Sequence, residues 1–96
     1  MDEQTVERVR EVVTSIPAGT VLSYGDVAAL AGVRSARLVG RIMAIDSADL
    51  PWHRVLRADG TVAPHLAREQ LARLRAEGVL AVDGRVPMSC YRYRPT

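Results

Sequence analysis
The stretch from Ser23 to Met43 constrains the fold more tightly than any other. Ser23-Tyr24-Gly25-Asp26 has the spacing of a capping box, in which hydroxyl and carboxylate satisfy N-terminal backbone donors reciprocally. Val27, Ala28, Leu30 and Ala31 give the helix behind it a short apolar face. Gly32 falls where a helix turns left-handed to stop. Ser35 then caps a second short helix that carries Leu38, Val39, Ile42 and Met43 inward. Two short helices joined by a glycine-containing turn read as a helix-turn-helix.

Such a motif needs covering, and the flanks supply it. Asp2 and Glu3 open a helical pattern in which Val6, Val9, Val12, Val13 and Ile16 recur on one face, until Pro17 and Gly19 stop it. Beyond the motif, Arg54–Arg57 and Thr61–Ala63 flank Ala58-Asp59-Gly60, a hairpin signal placed where a winged helix carries its wing. A further helix follows, with Ala67, Leu71 and Leu74 inward, Glu69 and Arg73 paired at i,i+4, and Gly78 at its end. Val79–Val82, Asp83-Gly84 and Arg85-Val86 predict a second small hairpin, and Tyr91-Arg92-Tyr93-Arg94 a terminal strand with its tyrosines inward. The expected fold is mainly α with small β-hairpins, a winged helix-turn-helix. Its 96 residues suit one compact domain, 1–96, large enough to fold without disulfide staples.

Charge placement points to a polyanion. All thirteen basic residues are arginine, and the net charge is +2. Codon bias accounts for arginine usage as well as function does, so the weight falls on position. Arg34, Arg37 and Arg41 lie at i, i+3 and i+7 on the second helix of the motif, with no acidic residue between Gly32 and Ala44. That stripe, with Ser35 at its start, suits phosphate contacts and groove insertion better than a solvated face does. Gly40 within it costs helix stability by about 1 kcal/mol, which implies a close approach of packed backbone or DNA.

Other classes are excluded. Cys90 is the one cysteine, so neither an intrachain disulfide nor a cysteine-rich zinc site is available, and no metal or cofactor is called for. No apolar run is long enough to span a membrane, and Met1-Asp2-Glu3 is unlike a signal peptide. The expected setting is the cytoplasm, nucleoid-associated if bacterial, as a monomer.

Pro51-Trp52-His53-Arg54-Val55 concentrates the unusual residues: the single tryptophan and one of two histidines. Pro51 stiffens the entry, His53 brings a side chain of the type that gives or takes a proton, and Arg54 offers forked hydrogen bonds to phosphate or carboxylate. On its own, Trp52 is equally a core anchor. His65 fits a surface or a pocket position alike.

Three motifs together resemble the DNA-binding domain of the O6-alkylguanine-DNA alkyltransferases. They are Ile16-Pro17-Ala18-Gly19-Thr20-Val21-Leu22-Ser23-Tyr24-Gly25-Asp26-Val27-Ala28, then Ala36-Arg37-Leu38-Val39-Gly40, then Pro51-Trp52-His53-Arg54-Val55, across roughly residues 4 to 80. Trp52 stands where those enzymes carry the acceptor cysteine, a change typical of the alkyltransferase-like proteins. The resemblance implies that Arg37 is the arginine finger filling the stack, and that Tyr24 helps to rotate the target phosphate. It implies a lesion pocket at Tyr24, Pro51, Trp52, His53 and Val55. His53 and Glu77 match the proton relay to the cysteine, here vestigial.

Indole offers no soft nucleophile in place of a thiolate. Cys90, in Ser-Cys-Tyr, lies outside the family motif. The expectation is therefore a protein with no catalytic residue. It binds duplex DNA carrying O6-alkylguanine, flips the modified base, and flags it for nucleotide excision repair proteins. The alternative is a winged-helix regulator that reads sequence without lesion specificity. Two departures from the enzymes bear on pocket shape: Asp46 replaces an asparagine, and the loop Ala63–Leu66 is short and lacks a glycine-rich segment.

Overall fold
The computed structural model describes residues 2–95; Met1 and Thr96 lie outside it. The first helix, α1 (Glu3–Thr14), is capped by Asp2, whose carboxylate accepts from Thr5 N at 2.7 Å. Val9 and Val13 are fully buried on its inner face. β1 (Leu22–Ser23) leads into α2 (Tyr24–Ala31), and the capping box forms as expected: Asp26 N donates to Ser23 Oγ at 3.0 Å, Ser23 N to Asp26 Oδ2 at 2.9 Å. Gly32 closes α2 at φ 69°, in the left-handed region a Cβ disfavours. Ser35 caps α3 (Ala36–Ile45), accepting from Leu38 N at 3.2 Å.

After α3 the chain makes a 3-10 turn over Trp52–Arg54, then β2 (Val55–Leu56), α4 (Ala67–Ala76) and a short α5 (Met88–Tyr91). β1 and β2 pair in parallel, Leu22 against Val55 and Ser23 against Leu56. Two apolar clusters flank this pair. Val9, Val13, Leu22, Val27, Val39, Ile42 and Val55 unite α1, α2 and α3. Leu56, Leu74, Val79 and Val86 seat α4 and the segment after it, with Val21. Each such fully buried aliphatic contributes on the order of 1.5–3 kcal/mol. Among the described residues, no helix is long and apolar enough to cross a membrane.

The structure corrects the β elements in detail. The wing is a turn rather than a ladder: Gly60 N donates to Arg57 O at 2.9 Å and Arg57 N to Thr61 O at 3.1 Å, and among the described residues no second strand follows. β2 already has β1 on one edge, and Gly60 O is taken by Val86 N at 2.9 Å. The second hairpin shrinks to one bridge, Val82 with Arg85, around Asp83 (φ 52°) and Gly84 (φ 75°). In the tail, residues through Tyr91 are helical, and only Arg92 bridges to Val21. The tyrosines still turn inward, Tyr93 onto the first cluster and Tyr91 onto the second.

Candidate functional site
α3 presents its apolar side to α1 and α2 and leaves Arg37 and Arg41 exposed, with Arg34 and Ser35 exposed just before it. None of the three arginines pairs with a carboxylate among the described residues. Their charge is therefore available to an outside anion, but Arg34 lies ahead of the helix cap rather than on the helix, so the expected stripe on α3 reduces to Arg37 and Arg41.

A cavity of about 470 Å³ opens beside this helix. Gly40, Met43, Ala44 and Ile45 of α3 form one wall, and Tyr24 and Trp52 stand against it. Ala63, His65 and Leu66 close the far side, with Gln70 of α4. A Cβ on Gly40 would meet nothing within 4 Å, so this glycine keeps the wall open rather than admitting packed backbone. Ile45, 74% exposed, stands at the rim.

Of the residues expected to line a lesion pocket, Tyr24 and Trp52 line this cavity; Pro51, His53 and Val55 do not. Parallel pairing turns Val55 into the core, 1% exposed. His53 is buried against Glu77, and Pro51 serves as the N-cap of the 3-10 turn. The spacing of the motif gave no hint of Met43, Ser47 or Gln70 as lining residues, because they arrive from three separate segments.

Trp52 is held rather than loose. Its ring meets His53 edge-on, centroids 6.2 Å apart at 88°. The Arg73 guanidinium lies 5.4 Å from the indole centroid, a cation–π contact. Glu69 fixes that guanidinium through Nη2 at 2.7 Å and Nε at 3.0 Å. Gln70 is 3% exposed, and its Nε2 donates to His53 O (3.2 Å) and Val55 O (3.0 Å), binding α4 to the pentapeptide.

His53 and Glu77, the pair expected from the resemblance, are in contact, with one addition. His53 Nε2 lies 2.9 Å from Glu77 Oε2, just beyond the end of α4. Arg54 grips the same carboxylate through Nε at 3.0 Å and Nη2 at 2.6 Å, and its Nη1 donates to Ile16 O at 2.8 Å. These bonds, Arg54 first and His53 after it, hold the Glu77 pKa at about 2 against the rise that burial imposes. An ionised Glu77 can only accept, so His53 donates to it through Nε2–H. The other ring nitrogen, Nδ1, is buried without a hydrogen-bond partner among the described residues. Arg54, read from sequence as a ligand for phosphate or carboxylate, is committed to carboxylate.

The link after α3 is pinned from α1. Arg10 Nη1 donates to Asp46 O and Oδ1 at 3.1 and 3.2 Å, and its Nη2 to Asp49 Oδ2 at 2.6 Å. The Arg10 hydrogen bond lowers the Asp49 pKa. Ser47 Oγ also donates to Met43 O, tying the pocket wall to the link. Asp46, the departure noted above, thus anchors the loop that faces Trp52. Burial raises the Tyr24 pKa, which keeps its hydroxyl a donor.

Fold and site together define a winged helix-turn-helix DNA-binding domain with a side pocket sized for a small organic group. Residues 4–79 match the family model described as 6-O-methylguanine DNA methyltransferase, DNA binding domain. The chain belongs to that family and is an alkyltransferase-like member of it. It is 45% identical over 94 residues to the DNA base-flipping protein of Escherichia coli (strain K12), covering 92% of this chain and 71% of that one. It is 37% identical over 79 residues to Alkyltransferase-like protein 1 of Schizosaccharomyces pombe, covering 75% and 73%. A crystal structure of S. pombe Atl1 with damaged DNA containing O6-carboxymethylguanine matches at a TM-score of 0.84 and 28% identity, over 99% of both chains. The O6-methylguanine methyltransferase of Mycobacterium tuberculosis matches at a TM-score of 0.69 and 27% identity, covering 86% of this chain and 53% of that one.

Proposed function
We propose that this protein is a non-enzymatic sensor of O6-alkylguanine in duplex DNA. α3 enters a groove with Arg34, Ser35 and Arg41 against the backbone, and Arg37 takes the space vacated by the extruded nucleotide. Extrusion costs a few kcal/mol and is cheapest for a damaged base. The base then lies in the cavity between Tyr24 and Trp52, where stacking on an aromatic ring returns about 1–3 kcal/mol.

One observation carries the non-enzymatic reading. Trp52 lines the cavity at the position the resemblance gives to the acceptor cysteine, whereas the single thiol, Cys90, is exposed on α5 and does not line it. A relay that ends at His53 Nδ1 has no thiol beside it to activate. The relatives fit this reading: one is named for base flipping, and another is crystallised with O6-carboxymethylguanine DNA. The finer steps of the proposal are that the chain acts as a single domain and a monomer in the cytoplasm. There it marks the lesion for nucleotide excision repair proteins.

The reading is tested by incubating the protein with an O6-methylguanine duplex and measuring its intact mass. We expect no mass gain. A gain of one methyl group would overturn it.

A further inference from the structure
β1 and β2 run parallel, so their C-terminal ends lie on the same side, and their last paired residues are Ser23 and Leu56. The next residues are Tyr24 on one strand and Arg57 on the other. Tyr24 begins α2 and lines the cavity; Arg57 begins the wing turn and is exposed. The Arg57 charge acts on the Tyr24 phenol, pulling against the rise that burial imposes. The register of the parallel pair sets these two residues side by side as the strands end.

Arg57 has no structural occupation. No carboxylate among the described residues pairs with it. Asp59, two residues on, is occupied: its Oδ1 accepts from Thr61 N at 3.1 Å and from Thr61 Oγ1 at 2.7 Å. Asp26, in the first turn of α2, is committed to Ser23 N at 2.9 Å and lies 3.2 Å from Arg92 Nε.

The turn beneath Arg57 is stiff. Its backbone bonds to Gly60 and Thr61, and Val86 N locks Gly60 from behind. A Cβ on Gly60 would stand 2.1 Å from Val86 O. A guanidinium without a carboxylate partner among the described residues, on a rigid turn beside a tyrosine that lines the cavity, is suited to an oxyanion.

A nucleotide leaving the stack rotates about its flanking backbone, and a base seated in this cavity brings that backbone to the rim where Tyr24 stands. We propose that Arg57 joins Tyr24, to which the family resemblance already gives the target phosphate, in a clamp on the phosphodiester flanking the extruded nucleotide, Arg57 supplying charge and forked N–H donors. The clamp rests on the base-flipping reading above and deepens it. The wing turn holds the backbone while α3 fills the stack.

Binding of an O6-methylguanine duplex across a salt series tests the clamp, using wild type, Arg57→Ala, Arg57→Lys, Tyr24→Phe and the double variant Tyr24→Phe/Arg57→Ala. Arg57→Ala is expected to weaken binding several-fold and to lower the slope of log affinity against log salt by about 1. Arg57→Lys keeps the slope. In the Tyr24→Phe background Arg57→Ala costs measurably less, because contacts to one phosphate are not additive. An unchanged slope in Arg57→Ala, or strictly additive losses, would overturn the clamp. Wild type with equal affinity for lesion and undamaged duplex would instead remove the base-flipping reading itself, so the two failures are separable. Circular dichroism confirms that each variant is folded.

Discussion

At the scale of single residues, the pentapeptide divides its labour between a pocket wall and a buried ion cluster. Trp52 faces the cavity, while His53 and Arg54 turn the other way onto Glu77. This has a consequence for stability. The Glu77 pKa is depressed from 4.5 to about 2. A carboxylate lowered in the folded state stabilises it fully above its unfolded value, and that stability is lost as pH falls from 4.5 toward 2. The full effect is on the order of 3 kcal/mol. Denaturant unfolding between pH 7 and pH 2 is expected to show this acid limb in wild type, and Glu77→Gln to flatten it while lowering stability at pH 7. An acid limb unchanged in Glu77→Gln would contradict the assignment. The residue types of this cluster were visible in the sequence, but not its centre. Nothing in a spacing rule says that Arg54 rather than His53 is the carboxylate's main partner, since both reach Glu77 across more than twenty positions.

At the scale of elements, local signals were legible and long-range ones were not. The helix-turn-helix could be read because caps act within four residues: Ser23, Asp26, Gly32 and Ser35 all serve as their positions suggest. The hairpins were overread, because Asp-Gly specifies a turn without specifying a ladder behind it. Strands of two residues, paired in parallel, carry no periodicity to detect. Gln70 bracing the pentapeptide and Arg10 pinning the 46–49 link join segments 15 to 39 positions apart, beyond any local pattern.

Two expectations belong to this scale. Arg37→Ala removes an exposed side chain that has no carboxylate partner among the described residues, so folding stability is expected to change by no more than about 0.5 kcal/mol. Lesion binding should fall by about tenfold or more, because the proposal puts this side chain in the base stack; thermal melting and duplex titration check the pair. An unfolded variant would give Arg37 a structural role instead. Gly60→Ala, by contrast, forces a Cβ into Val86 O at φ 85°. It is expected to destabilise by well over about 1 kcal/mol in denaturant titration; a neutral change would mean that the wing turn is not locked to the 79–86 segment.

At the scale of the whole molecule, two apolar clusters on either side of a minimal parallel pair set the recognition helix and α4 facing each other across the cavity. α1 pins the loop between them, α4 braces the pentapeptide, and the wing turn is bolted to Val86. The family's architecture is therefore kept, and the chemistry depends on one side chain within it. We propose that Trp52, which lines the cavity, takes the acceptor's place with a ring that can stack on a base and offers no thiolate. The most direct test is competition binding of wild type to duplexes identical except for one O6-alkylguanine. Tighter binding of the lesion duplex, by tenfold or more, with the modified base extruded, is the predicted result. Equal affinity for the two duplexes would contradict it and leave a winged helix that reads only the backbone or the sequence.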